Sequence, residues 1–144
     1  NNQFKRGELY SVINGVASTA VARRLQKNFR NAGLEITIEQ WSILYHLWKE
    51  DGLSQQELCT RTFRDKASIT RLIDNIEKLG LVERIASKDD RRVNLVYLTD
   101  AAKPLQEATY NIANQTMNEA LQGISKEEIE IVKSVFQRVY ENSK

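Results

Sequence analysis

Apolar residues recur at helical spacing between Asp65 and Gly80 of this 144-residue chain. The residues that share one face are Ile69, Leu72, Ile73, Ile76 and Leu79. Their spacing predicts a helix that is buried on one side, with Asp65 suited to cap its start and Gly80 suited to end it. The opposite face carries Lys66, Ala67, Ser68, Thr70 and Arg71, with Asp74 one turn later. Short, polar or basic side chains of this kind let a helix backbone approach base edges and phosphates.

A charged hairpin is predicted directly after that helix. Two β-prone runs, LVERIA and VNLVYLT, flank the sequence Lys-Asp-Asp-Arg-Arg at positions 88–92. A solvated helix or a charged hairpin is common by itself. Their succession in this order favours a winged helix.

Three further helix starts carry the capping-box pattern, in which Ser or Thr is followed three residues later by Glu or Gln. The boxes are Thr37–Gln40, Ser54–Glu57 and Ser125–Glu128, each flanked by apolar residues that can form a hydrophobic staple. They predict helices over about 38–50, 55–61 and 126–142.

The short helix at about 55–61 is joined to the helix at 65–80 by Thr62-Phe63-Arg64. A short helix, a turn of three or four residues and a longer second helix define a helix-turn-helix. We expect Phe63 to pack beneath this turn.

Both ends of the chain predict long helices with apolar faces. Residues 8–32 predict one long helix, and residues 100–122 predict another, which begins near Pro104 or kinks there because proline lacks a backbone donor. Together with the last helix, these segments present more apolar surface than one monomer can cover. Dimerisation through both chain ends is the simplest resolution.

The net charge of the chain is only +2, so the overall composition does not by itself indicate a nucleic-acid-binding protein. Residues 54–92 hold nine Lys or Arg against seven Asp or Glu, so phosphate attraction must come from local clusters. A single Cys excludes an intramolecular disulfide and fits a reducing compartment. The N-terminal stretch is too polar for a signal peptide, and no run approaches the roughly 18 apolar residues of a membrane span. We therefore expect a soluble, cytoplasmic protein without a membrane partner.

The sequence resembles the multiple-antibiotic-resistance regulator (MarR) family of winged-helix repressors. The resemblance is carried by Leu58, Ser68-Ile69-Thr70-Arg71-Leu72-Ile73-Asp74, Glu77-Lys78-Leu79-Gly80-Leu81-Val82-Glu83-Arg84, and the spacing of Asp90-x-Arg92 to Leu98-Thr99. It implies a mainly α fold with a small β-wing. A winged helix-turn-helix DNA-binding domain over 35–99 would be flanked by the N- and C-terminal dimerisation helices, at 1–34 and 100–144. One departure is Ala102, which stands where family members often carry Gly.

The resemblance also implies a homodimer that binds double-stranded DNA at a pseudo-palindromic operator, its two lobes about 34 Å apart in successive major grooves. Arg92 would reach the minor groove, and Asp90 would hold it in place. The DNA-binding candidates are Ser54, Gln55, Gln56, Lys66, Ala67, Ser68, Thr70, Arg71, Asp74, Lys88, Asp90, Arg91 and Arg92. For these residues the alternative is a solvated helix face and a solvent-exposed hairpin tip.

Small aromatic or phenolic effectors bind, by the same resemblance, in the crevice between the dimerisation and DNA-binding parts. Candidates to line it are Arg23, Trp41, Tyr45 and Tyr110, although Trp41, Tyr45 and Trp48 share a helix face that is more often core. A bound effector that prefers another lobe spacing would release a repressor from its operator.

Neither a metal site nor an enzyme is predicted. His46 and Cys59 are the only residues of their types, and no carboxylate cluster with ligand spacing lies near them. The sequence has no nucleophile–base pairing and no glycine-rich phosphate loop, so we expect no cofactor and no catalysis. Two alternatives to the ligand-released repressor remain: a winged helix that binds proteins, and a redox-sensing regulator acting through Cys59. A buried thiol acting as a small hydrophobe is the usual role at such a position.

Overall fold

The structure, a computed structural model, describes residues 6–144 and the side chains of residues 7–144. Its helices are α1 (Arg6–Asn14), α2 (Val16–Asn31), α3 (Ile38–Lys49), α4 (Gln55–Thr62), α5 (Lys66–Lys78), α6 (Lys103–Ala120) and α7 (Lys126–Ser143). Its strands are β1 (Leu53–Ser54), β2 (Val82–Ala86) and β3 (Asn94–Leu98), and a 3-10 turn at Asp100–Ala102 leads into α6. The predicted mainly α fold with a small β-wing is confirmed. The first five residues of the predicted segment 1–34 lie outside the described residues.

The buried face of α5 lies at the centre of the hydrophobic core. Ile69, Ile73 and Ile76 are each 0% exposed, and Leu72 is partly buried beside them. The core also contains Ile43, Leu44 and Leu47 of α3, Leu58 of α4, Val82 of β2 and Val96 of β3. Leu79, the last residue of the predicted stripe, is 48% exposed because it is the C-cap, where the helix ends.

Both predicted ends of α5 are confirmed. The Asp65 carboxylate accepts a hydrogen bond from the Ser68 backbone N–H at 2.7 Å and caps the first turn. This bond holds the pKa of Asp65 below its ordinary value. Gly80 follows the C-cap with a φ of +77°, a conformation that glycine adopts without steric strain.

The capping boxes begin helices where the sequence predicts them. Thr37–Gln40 and Ser125–Glu128 form reciprocal boxes at the starts of α3 and α7. At α4, the Ser54 hydroxyl accepts a hydrogen bond from the Glu57 N–H at 3.1 Å, but the described hydrogen bonds do not include a return bond from the Glu57 side chain. Ser54 also ends β1, so it belongs to the sheet as well as to the cap.

The predicted hairpin is also confirmed. β2 and β3 pair antiparallel from Val82↔Leu98 to Ala86↔Asn94. β1 pairs with the other edge of β3, which gives the order β1-β3-β2. The sequence did not predict β1, because a strand of two residues has no readable periodicity.

The prediction of one long helix over 8–32 was wrong. The segment forms α1 and α2, which are separated at Gly15 with φ −170° and ψ −44°. Glycine loses the most conformational freedom in a helix interior, so it favours a break there.

The expectation that Phe63 packs beneath the helix-turn-helix turn was also wrong. Phe63 ends α4 in the left-handed conformation, with φ 52° and ψ 43°, and is 69% exposed. Its ring contacts Tyr140 of α7 edge to face, with the ring centroids 5.5 Å apart. The short turn requires this backbone conformation and leaves the side chain outside the core.

Pro104 lies in the first turn of α6, as expected for a helix that begins near it. Here its missing N–H leaves no helical hydrogen bond unmade. Ala102 ends the preceding 3-10 turn and is 0% exposed.

The terminal helices keep much of their apolar surface uncovered in the single chain. No residue of α7 is fully buried. The large exposed apolar residues of these helices are Leu9, Tyr10, Val12 and Ile13 of α1, Val16 of α2, Met117 of α6, and Ile131, Val132, Val135, Phe136 and Tyr140 of α7. Among the described helices, none has the length and apolar character needed to cross a membrane.

Candidate nucleic-acid interface

The start of α4, the start of α5 and the wing surround one concave surface. A cavity of about 340 Å³ is lined by Ser54, Gln55, Gln56, Cys59, Lys66, Arg92, Val93 and Asn94. Five of the predicted DNA-binding residues thus meet at one place, although they come from three separate parts of the chain. The remaining candidates lie along α5 and at the wing tip.

The outer face of α5 is arranged as the sequence predicts. Lys66, Ala67 and Arg71 are exposed, whereas Ser68 and Thr70 are half-buried. The Thr70 hydroxyl accepts a hydrogen bond from Nε2 of Gln55 at 3.2 Å, so the two helices are joined by candidate residues. Two of the three basic side chains of α5, those of Lys66 and Arg71, stand in its N-terminal half, the end that reads bases in a helix-turn-helix.

The wing tip holds an ion pair between Asp90 and Arg92. Nε and Nη2 of Arg92 donate to the two carboxylate oxygens of Asp90 at 3.1 and 3.2 Å. The Arg92 backbone N–H donates to the same carboxylate at 3.1 Å. These bonds hold the pKa of Asp90 below its ordinary value. The Arg92 side chain is nevertheless 91% exposed, so the guanidinium is oriented and remains available to a ligand.

The rest of the tip is ordered by Ser87. Its hydroxyl accepts hydrogen bonds from the backbone N–H groups of Asp89 and Asp90 at 3.2 and 3.5 Å. Its own N–H donates to the Val93 carbonyl at 2.8 Å, which closes the loop. Lys88 and Arg91 are exposed on this loop.

Arg84 of β2 is a residue that sequence reasoning did not assign to the site. Its Nη2 donates to Oδ1 of Asp74 at 2.6 Å, and its Nη1 donates to Oε1 of Glu77 at 2.9 Å. Its Nε donates to Oε1 of Gln55 at 3.1 Å. One guanidinium therefore links α4, α5 and the wing.

Asp74, a predicted DNA contact, is thus already engaged inside the protein. No local signal reveals this pairing, because Asp74 and Arg84 are ten residues apart on two different elements. The alternation along β2 indicates only that Arg84 and Val82 point to the same face of the strand.

The predicted effector residues come together only in part. The rings of Trp41 and Tyr45 have centroids 5.7 Å apart, and Tyr110 of α6 lies 5.8 Å from Tyr45. Trp48 is 5.8 Å from Tyr110, so it joins the same cluster. Arg23 instead lines a separate cavity of about 580 Å³ beside the break between α1 and α2.

The aromatic cluster contains two buried polar groups. The indole N–H groups of Trp41 and Trp48 have no hydrogen-bond partner among the described residues. Lys49 places its Nζ 4.4 Å from the centroid of the Tyr45 ring, which is the geometry of a cation–π contact.

Comparison with solved structures agrees with this geometry. A probable transcriptional regulator from Pseudomonas aeruginosa is 30% identical over 83% of this chain and 91% of that one, with a TM-score of 0.73. A MarR transcriptional regulator from Methanosarcina mazei Go1 is 24% identical over 96% and 95% of the two chains, with a TM-score of 0.77. A MarR protein from Peptoclostridium difficile is 21% identical over 99% and 91%, with a TM-score of 0.85, and so shares the fold.

A model of the MarR family matches residues 33–93, the part of the chain that contains α3 to the wing tip. The chain belongs to the MarR family. It is therefore a winged-helix regulator of transcription that binds DNA, and the concave surface between α4, α5 and the wing is its candidate interface.

His46 and Cys59, the only histidine and the only cysteine of the chain, are not part of a metal site among the described residues. The described residues contain no group of three His, Cys, Asp or Glu side chains that could hold a metal ion. Burial lowers the pKa of His46, and the positive charges of Arg61 and Lys49 lower it further. Cys59 is half-buried on α4 beside the candidate interface.

The Asp90–Arg92 ion pair leads to a prediction for the Asp90→Ala variant that is opposite in sign to the effect expected from net charge alone. Replacing Asp90 with Ala removes a negative charge from the candidate interface, which by Coulomb attraction alone would strengthen the binding of DNA. Because the replacement also frees the Arg92 side chain, we expect duplex affinity to fall by about threefold or more. Asp89→Ala is the matched control, since it removes the same charge from the next residue. Fluorescence anisotropy would refute the prediction if both variants bound more tightly than the wild type.

Proposed function

We propose that this MarR-family protein is a homodimeric repressor that binds a pseudo-palindromic operator and is released by a small aromatic ligand. It would act on DNA in the cytoplasm. The observation that carries the proposal is the oriented but 91% exposed Arg92 side chain, which stands beside the basic start of α5. In this division of labour, residues 35–99 contact DNA, and residues 1–34 and 100–144 form the dimer.

Direct readout would come from α5 in the major groove. Lys66 and Arg71 can donate to phosphates or to guanine edges, while Ser68 and Ala67 are small enough to let the backbone come close. The backbone N–H groups at the start of α4, at Gln55 and Gln56, can bind a phosphate. Arg92 and its neighbour Arg91 suit the narrow, electronegative minor groove.

Dimerisation is supported by the uncovered apolar surface of the terminal helices. Phe136 is 45% exposed and Val132 is 50% exposed, on a helix that has no fully buried residue. Contiguous exposed apolar surface of this kind marks an interaction site. A twofold dimer would also provide two recognition helices for the two halves of a palindrome.

Ligand release is supported by the aromatic cluster between α3 and α6. A buried donor without a partner is unfavourable, so an acceptor that reaches the indole N–H of Trp41 or Trp48 would bind favourably. Phenolates and aromatic carboxylates offer such an acceptor on a ring that can stack in the cluster. Because α3 belongs to the DNA-binding part and α6 to the dimerisation part, a ligand there could change the spacing of the two lobes.

The first prediction from this function concerns Arg92. A duplex would be selected from a random-sequence pool with the wild-type protein, and its binding measured by fluorescence anisotropy at two salt concentrations. We expect Arg92→Ala to weaken binding by about fivefold to a hundredfold, the range for a lost specific Arg contact. The melting temperature should change little, because the side chain lies in solvent.

Lys27→Ala is the control, because it removes one positive charge from the exposed surface of α2, far from the wing in sequence. It should leave selective binding close to the wild-type level. Undiminished binding of Arg92→Ala at physiological salt would contradict the role of the wing.

The second prediction concerns the dimer. Phe136→Lys places a charge within the apolar stripe of α7 and should weaken dimerisation by about 2 kcal/mol or more, or about 30-fold, if Phe136 is an interface anchor. Ser134→Lys is the control, because two residues along a helix turn the side chain about 200° to the opposite face. Sedimentation equilibrium should detect monomer for the first variant only. Equal dimer fractions for the two variants would argue against α7 as the interface.

The third prediction concerns the ligand. Trp41 and Trp48 are the only tryptophans of the chain, so intrinsic fluorescence reports directly on the aromatic cluster. Benzoate and phenol should quench this fluorescence and release the selected duplex over the same concentration range. Trp48→Phe, which keeps a ring but removes one donor, should weaken the quenching. The same effect with cyclohexanecarboxylate, which lacks an aromatic ring, would show that the cluster does not select aromatic ligands.

A further inference from the structure

We propose that Arg84 is a positioning residue of the DNA-binding surface, which neutralises half of the charge of two carboxylates on the recognition helix and so lets α5 approach the phosphates. The inference rests on the proposed insertion of α5 into DNA. It assigns Asp74 to this internal pairing instead of to base contact.

The charges along α5 are unevenly distributed. Its outer surface carries Lys66 and Arg71 in the first half, whereas the second half carries Asp74 and Glu77 followed by one basic residue, Lys78. The Asp74 and Glu77 side chains are 50% and 41% exposed, so both carboxylates stand near the surface that would face DNA. Uncompensated, each would repel phosphate at distances up to the Debye length, which is about 8 Å in physiological salt.

Arg84 is placed to reduce this repulsion. Its side chain is 17% exposed, and its two terminal nitrogens reach one carboxylate each, at 2.6 Å for Asp74 and 2.9 Å for Glu77. The Glu77 carboxylate also accepts the Arg84 backbone N–H at 3.2 Å, which ties the same acid to the strand. The pairing lowers the local charge from −2 to −1 and directs both carboxylates towards β2.

The same guanidinium also fixes the side chain of a predicted phosphate-contacting residue. Nε of Arg84 donates a hydrogen bond to the amide oxygen of Gln55. The amide nitrogen of Gln55 in turn donates to the Thr70 hydroxyl at 3.2 Å. A further contact from Nη2 reaches the Thr70 carbonyl at 3.4 Å. Lysine cannot reproduce this set of bonds, because it is a point charge without the planar fork of arginine.

Charge cancellation and simple bracing make different predictions. If Arg84 acts by neutralising charge, replacing the two acids must restore the duplex affinity that is lost when the arginine is replaced. If it acts only as a brace between α4, α5 and the wing, removing the acids as well must leave binding as weak or weaker. Four variants separate these cases: Arg84→Met, Arg84→Lys, Asp74→Asn/Glu77→Gln, and the triple variant Arg84→Met/Asp74→Asn/Glu77→Gln.

The test measures binding of each variant to the duplex selected by the wild type, by anisotropy over a range of salt concentrations, with melting temperatures alongside. We expect Arg84→Met to bind about tenfold more weakly, since it leaves two like-charged groups against phosphate. Its plot of log affinity against log salt should be shallower by about one unit. The triple variant should return to within about threefold of the wild type and recover the salt slope. Arg84→Lys should fall between Arg84→Met and the wild type.

The outcomes separate the inference from the proposed function. If the wild type selects a duplex and the triple variant binds it as weakly as Arg84→Met, charge cancellation is wrong while DNA recognition stands. If the wild type selects no duplex, the proposed function fails and the inference fails with it. If Arg84→Met does not fold, the double variant decides: tighter binding than the wild type supports the inference, and weaker binding overturns it by showing that the acids contact DNA.

Discussion

The one-sided burial of α5 is the constraint on which the rest of the structure depends. Ile69, Ile73 and Ile76 are completely buried, and each contributes about 2 kcal/mol of hydrophobic stabilisation. Because these three side chains must face the core, the rotation of the helix about its axis is determined. Lys66 and Arg71 are consequently held on the outside. The candidate DNA-binding surface of α5 is thus the side of the helix opposite to the one that packs in the core.

Two arginines of the wing show how burial sets the role of one residue type. Arg84 is 17% exposed and uses its guanidinium inside the protein, whereas Arg92 is 91% exposed and makes one ion pair that leaves much of its surface in solvent. Arg84 links β2 to α4 and α5 and forms ion pairs with two carboxylates of α5. Arg92 is oriented by Asp90 and can still meet a partner. The wing thus has an arginine bonded within the protein at its base and an exposed arginine at its tip.

The terminal helices differ from α5 in how much of their surface is buried. They bury little in the single chain, yet α2 packs on α6 and is joined to it by Arg24–Glu119 and Asn28–Thr116 hydrogen bonds. The contacts between α2 and α6 are therefore made within one chain, whereas α7 leaves its apolar residues exposed, as the proposed dimer requires. The aromatic cluster lies at the boundary between α3 and α6, where the rings of Tyr45 and Trp48 contact Tyr110.

Local patterns were sufficient wherever one element determined the result. The sequence by itself located α5 with its caps, the starts of α3, α4 and α7, the hairpin and the Asp90–Arg92 neighbourhood, because periodicity and capping act within a few residues. It misjudged Gly15, although glycine itself favours a helix break. It also misjudged Phe63, whose left-handed backbone depends on the path of the chain through the turn. Only the tertiary structure paired Arg84 with Asp74 and Gln55 and separated Arg23 from the aromatic cluster. Hydrogen bonds between distant residues depend on how helices and strands are brought together, which no local pattern encodes.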